Sequence, residues 1–79
     1  MSTSNRIKQK VSTNIWVWVR FQNGALRKLK VMHNPEFETG VVSSQSPVGI
    51  ALLGATINEE RRYLLKGKIN KLIVIDFDN

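Results

Sequence analysis

Few residues in this sequence belong to types that make or break bonds, and their spacing is poor for the purpose. There is one histidine, His33, beside an Asn-Pro pair, and no cysteine anywhere, so thiolate chemistry, disulfides and zinc sites of the cysteine type are excluded. Glu59-Glu60 and Asp76/Asp78 are two close carboxylate pairs. Each flanks an apolar, β-branched run, which makes them strand-end charges more readily than an acid–base couple or a metal site. His33 is expected to be an exposed loop residue. No metal, no cofactor and no catalytic group is therefore predicted. What remains is binding chemistry, and two features offer it: the indoles of Trp16 and Trp18, and a basic first half.

Net charge is +6, and it is unevenly placed. Arg6, Lys8, Lys10, Arg20, Arg27, Lys28 and Lys30 precede the first acid, Glu36. Such asymmetry favours an anionic partner, either nucleic acid or an acidic protein surface. Exposed indoles interleaved with lysines would serve as a base-stacking platform; buried, they would be core.

The elements that must position these groups fit within 79 residues, enough for one domain with one modest core. No apolar run reaches the ~20 residues of a membrane span, and MSTSNRIKQK is not a secretory signal. A soluble cytoplasmic protein with no membrane partner is the expectation. Residues 1–12 read as a basic mobile tail and 13–79 as the domain.

NIWVWVRFQNGALRKLKVM reads as a hairpin turning at Asn23-Gly24, the dipeptide suited to a tight two-residue loop. That loop pairs Trp16 with Val31, Trp18 with Leu29 and Arg20 with Arg27. It puts the indoles on the core side and sends Val17, Val19, Phe21, Leu26, Lys28 and Lys30 to the other. The second set would form an exposed apolar and basic surface, available to a partner, the tail or a second copy of the chain as a homodimer. GVVSS is a short strand. RRYLLKGKINKLIVIDF gives two strands around Lys66-Gly67-Lys68, with LIVI lying inside the sheet.

Between them stands SQSPVGIALLGATINEE, residues 44–60. Ser46 suits an N-cap and Pro47 the first helical position. Gly54 is placed for a left-handed C-cap. Gly49 breaks the helical preference, so close packing or an approaching partner excludes a side chain there. So short a helix exists only when packed. The fold class is α+β: a small antiparallel sheet curled around one short helix.

SPVGIALLG followed by ATINEE resembles the Ser-Pro-x-Gly-x-Ala-Leu-Leu-Gly signature in the carboxy-terminal domain of the GreA/GreB transcription elongation factors. Ile57-Asn58-Glu59 stands where that family has a Val-Gly-Asp-like turn, and the flanking strands follow the family's order over residues 13–77. The regulators of nucleoside diphosphate kinase carry a similar domain. The resemblance implies an FKBP-like fold, a stand-alone domain without the family's coiled coil, and docking on bacterial RNA polymerase at the rim of the secondary channel. Carried across, the partner-binding residues are Gln45, Ser46, Pro47 and Gly49, with Gln45 where some members have an acid. Transcript cleavage, which the family performs with an acidic coiled-coil tip, is not expected of this chain. A basic nucleic-acid-binding domain is the alternative function, and a prolyl isomerase the least favoured, since fold does not carry activity.

Overall fold

The computed structural model describes residues 9–36 and 38–78. Five strands and one helix follow in chain order: β1 (Trp16–Phe21), β2 (Leu26–Met32), β3 (Val41–Ser43), α1 (Pro47–Leu52), β4 (Glu60–Leu65) and β5 (Lys68–Phe77). They form one sheet in the order β3-β2-β1-β5-β4. Its pairings are antiparallel except at one edge, where β3 runs parallel to β2. The apolar strand β5 is interior, as its composition predicts. The α+β architecture of one curled sheet and one short helix is the expected one, with the parallel edge as the difference.

The turn between β1 and β2 is longer than Asn23-Gly24 alone. Gly24 N–H donates to the Phe21 carbonyl at 2.9 Å, and Phe21 N–H donates to the Ala25 carbonyl at 2.9 Å, so Gln22, Asn23 and Gly24 form a three-residue loop. Only Gly24 among them takes a positive φ, +90°. This matches a type I turn closed by a left-handed glycine. Asn23 Oδ1 accepts from the Ala25 amide, and Gln22 Oε1 accepts from the Lys71 amide at 3.0 Å, which ties the loop to β5.

The extra loop residue shifts pairing by one. Trp16 lies opposite Lys30, Val17 opposite Leu29, Trp18 opposite Lys28 and Val19 opposite Arg27. Because side chains alternate strictly, the faces of β1 are exchanged relative to the sequence reading. Val17 and Val19, expected on the surface, are completely buried with Val31, Leu52, Leu72 and Val74. Trp16 and Trp18, expected in the core, are half-buried on the opposite face. Phe21 is half-buried and meets Tyr63 edge-to-face at 6.5 Å, leaving Leu26, Lys28 and Lys30 of the expected surface set opposite the core. The physical reason is the loop: three residues between Phe21 and Ala25 fix the register, and the valines it turns inward join Ala51 and Leu52 of the helix in one buried cluster. The exposed valine patch that suggested a homodimer is therefore absent.

Between Val74 and Asp76 the β1–β5 pairing slips by one residue, a bulge at Ile75. It lets both Val74 and Phe77 face the core, opposite Val19 and Val17. At the other end of β5, Lys66 (φ 53°) and Gly67 (φ 77°) form a two-residue turn with both residues left-handed.

The structured chain starts earlier than residue 13. Val11 is 3% exposed; its amide donates to the Ala55 carbonyl at 2.9 Å and its carbonyl accepts from Gly54 at 2.8 Å. The part of the expected tail within residues 1–8 lies outside the described residues.

Opposite substitutions separate the two registers. Val19→Lys should abolish cooperative unfolding in urea, because it puts a charge in the dry core, and Val19→Ala should cost about 2 kcal/mol. Trp18→Lys should leave the chain folded. Unfolding by Trp18→Lys together with tolerance of Val19→Lys would restore the two-residue turn.

Candidate docking edge at the Ser-Pro entry

The junction from β3 into α1 is organised around one backbone carbonyl, that of Ser43. It accepts from the Ser46 amide at 3.0 Å and from the Ser46 hydroxyl at 2.6 Å. The same hydroxyl oxygen accepts from the Gly49 amide at 3.1 Å, which is the N-cap bond the Ser-Pro pair predicts. Ser43 Oγ in turn accepts from the Gln45 amide at 3.0 Å. Three residues of loop are thus held by four local bonds and have little freedom.

Gly49 completes this junction from the helix side. A Cβ built there would run into the Ser43 carbonyl oxygen and lie 2.9 Å from its carbon. No rotamer change can relieve a clash with backbone, so this position requires glycine. Gly49 itself is buried, and its missing side chain serves internal packing against Ser43.

The residues that do face outward are Gln45 and Pro47, both exposed, with Ser46 between them half-buried. Ile50, one helical turn beyond Pro47, is 61% exposed. The pair Pro47/Ile50 forms a small apolar step beside the Gln45 amide. Sequence reading missed Ile50; the available signal was its i+3 spacing from Pro47 on the face opposite Ala51 and Leu52. The helix carries no acid in its first turn and no base in its last. His33, near this edge, is an exposed loop residue whose Nδ1 lies 2.9 Å from Ser44 Oγ.

The C-cap is Leu53, extended at φ −60°, whose amide donates to the Gly49 carbonyl, where the sequence expected a left-handed cap at Gly54. Gly54 follows with φ 84° and donates to the Val11 carbonyl. The chain turns again at Asn58 (φ 68°), which occupies the position of the glycine in the Val-Gly-Asp-like pattern. Glu59 closes this second turn. Its Oε1 accepts from the Thr56 amide at 2.9 Å and the Thr56 hydroxyl at 3.2 Å. Arg61 Nε lies 3.1 Å from Oε2 without the alignment of a hydrogen bond. Donation from the Thr56 backbone, reinforced by the charge of Arg61, holds the Glu59 carboxyl below its ordinary value near 4.5. Its role is structural. Among the described residues no three His, Asp or Glu side chains gather as a metal site, and no helix is long and apolar enough to cross a membrane.

Comparison with solved structures places this geometry among known folds. The chain superposes on the transcription factor Gfh1 with a TM-score of 0.72 at 17% identity, over 90% of this chain and 49% of that one. Gfh1 of Thermus aquaticus gives 0.73 at 17% identity, over 91% and 50%. The prokaryotic transcription elongation factor GreA/GreB from Nitrosomonas europaea gives 0.68 at 21% identity, over 91% and 62%. The chain spans about half the length of the Gfh1 structures it matches. The fold is thus that of a portion of Gre-type factors, as the Ser-Pro signature implies. No family model matches the sequence, and no curated protein does.

Three substitutions test the junction. Ser46→Ala should cost about 1 kcal/mol through the lost cap. Gly49→Ala should be destabilising overall: overpacking costs about 1–3 kcal/mol, and here the obstacle is backbone, so the gain of about 1 kcal/mol in helix propensity does not offset it. Gln45→Ala should leave stability unchanged. Urea midpoints check all three. The Glu59 interaction adds a pH dependence. A carboxyl whose folded pKa is lowered contributes stability at pH above its unfolded value and loses it as pH falls through the folded one. Glu59→Gln should therefore flatten the loss of stability on acidification below about pH 4.3, measured as thermal midpoint against pH.

Proposed function

We propose that this chain is a binding module that docks on bacterial RNA polymerase near the secondary channel and modulates transcription elongation in the cytoplasm without cleaving RNA. The observation that carries the reading is the Ser43–Ser46–Gly49 junction: a rigid, capped entry that needs glycine for packing and presents Gln45, Pro47 and Ile50 outward. The fold shared with the transcription factor Gfh1 and with the transcription elongation factor GreA/GreB supports it. Three outward residues on a locked backbone lose little entropy on binding, which favours a small but specific contact.

What reaches the polymerase in this reading is an occupant of a site that full-length Gre factors use, so competition with them is the natural consequence.

The test is binding of the labelled chain to purified RNA polymerase by fluorescence anisotropy. One saturable site is expected, displaced by a full-length Gre factor and insensitive to nuclease. Gln45→Ala, Pro47→Ala and Ile50→Ser should each weaken binding about fivefold or more, the scale of a loss above 1 kcal/mol at an interface, with unchanged urea midpoints. Binding indifferent to all three, or binding lost on nuclease treatment, would overturn the assignment.

A further inference from the structure

The exchange of faces in β1 leaves an arrangement that polymerase docking does not use. On the face away from the helix, Trp16, Trp18 and Arg20 follow one another along β1 at every second residue, ~7 Å apart. Their cross-strand partners are Lys30, Lys28 and Leu26. The Lys30 ammonium stands 4.8 Å from the Trp16 ring centroid, and the Lys28 ammonium 5.4 and 5.8 Å from the Trp16 and Trp18 centroids. Trp16 also lies against Gly40, where a Cβ would meet its Cζ3 at 3.1 Å, so the ring is seated from below. At the far end of the row, Arg20 enters a shallow recess of about 240 Å³ that Gln22, Glu60, Lys71 and Ile73 also line.

Charge on this face is mixed but not balanced. Glu60, Asp76 and Asp78 lie among Arg20, Lys28, Lys30, Arg62 and Lys71. Asp78 pairs with Lys28 at 3.3 Å, and Glu60 is shared between Arg62 (3.5 Å) and Lys71 (4.0 Å). Arg20 and Lys30, which flank the indole row, have no carboxylate partner among the described residues. A merely solubilising face needs no indoles, and a buried packing surface would not place ammonium groups over them.

We propose that this open face of the sheet, along β1 from Trp16 through Trp18 to Arg20, binds single-stranded nucleic acid. Unpaired bases stack on the two indoles, as sequence-tolerant aromatic platforms allow. The ammonium groups that cover the rings in the free protein swing onto the flanking phosphates, and Arg20 with Lys71 receives the strand at the recess. The inference does not rest on the docking proposed at the entry to α1, and either can fail without the other.

Both tryptophans of the chain lie on this face, so their fluorescence reports on it directly. Titration with an unlabelled oligothymidylate of about 12 nucleotides, within the span single-strand binders cover, should quench emission to saturation. Affinity should fall between 50 and 200 mM salt, and Arg20→Gln or Lys30→Gln should each reduce the logarithmic salt slope by about 0.7. Trp18→Ala should weaken binding about 5- to 150-fold, and Trp18→Phe, which keeps a ring to stack on, much less. If Trp18→Ala does not fold, the wild-type quench and the two salt slopes still decide. The proposal is overturned by absence of quenching at submillimolar protein, by duplex DNA or polyglutamate binding as tightly as the single strand, or by folded Trp16→Ala and Trp18→Ala variants that bind like wild type.

Discussion

The loop Gln22–Gly24 sets which half of the first hairpin is core. Side chains alternate along a strand with a period of two, so one residue more or less in a turn moves whole sets of side chains across the sheet. With three loop residues, β1 contributes Val17 and Val19 to the interior and β2 contributes Leu29 and Val31. The rest of the sheet conforms. Gln22 anchors the loop to β5 through the Lys71 amide, and the Ile75 bulge restores the phase of β5 so that Val74 and Phe77 meet those valines. The helix adds Ala51 and Leu52 to this cluster, which also holds Leu29, Leu72 and Phe77.

This arrangement separates two surfaces by physical origin. On the helix side, the Ser43 carbonyl and Ser46 hydroxyl satisfy the backbone of a very short helix, and Gly49 lets the two segments touch. Order there comes from hydrogen bonds and steric exclusion. On the open side, the indoles are partly exposed and lie beneath lysine ammonium groups. Order there comes from stacking and weak cation–π attraction, each contact worth roughly 0.5–1 kcal/mol when exposed. The first surface is rigid and nearly neutral, suited to recognising one protein shape. The second is adaptable and basic.

Much of this was legible in the residues. Ser46-Pro47 and Gly54 marked the helix with its cap and exit, because those residue types solve problems that every helix end has. Lys66-Gly67-Lys68 marked the turn, which takes only Lys66 and Gly67 because Lys68 already pairs with Leu65, and the continuous apolar run of β5 marked an interior strand. Leu29 and Val31 were correctly read as core. The β1 face was not legible, since Asn23-Gly24 satisfies either a two-residue turn or the end of a three-residue one. What distinguishes them is tertiary: the Gln22–Lys71 bond and the shared cluster of Val17 and Val19 with Ala51 and Leu52. Val11 was missed because a single apolar residue in a polar stretch has no periodicity to betray it. Gly49 was read as a place of close approach, but the approaching group proved to be the chain's own Ser43 carbonyl.

The proposed docking puts the Ser-Pro entry, and not the indole face, against RNA polymerase. Site-specific photocross-linking tests it without depending on affinities. A photoreactive side chain placed at Gln45 or at Lys30, both outside the core, is activated in the presence of RNA polymerase and the cross-linked subunit is detected by its shift in mass. The account predicts a strong cross-link from position 45 that a full-length Gre factor suppresses, and none from position 30. A cross-link from position 30 alone, or none from either in a folded chain, would contradict it.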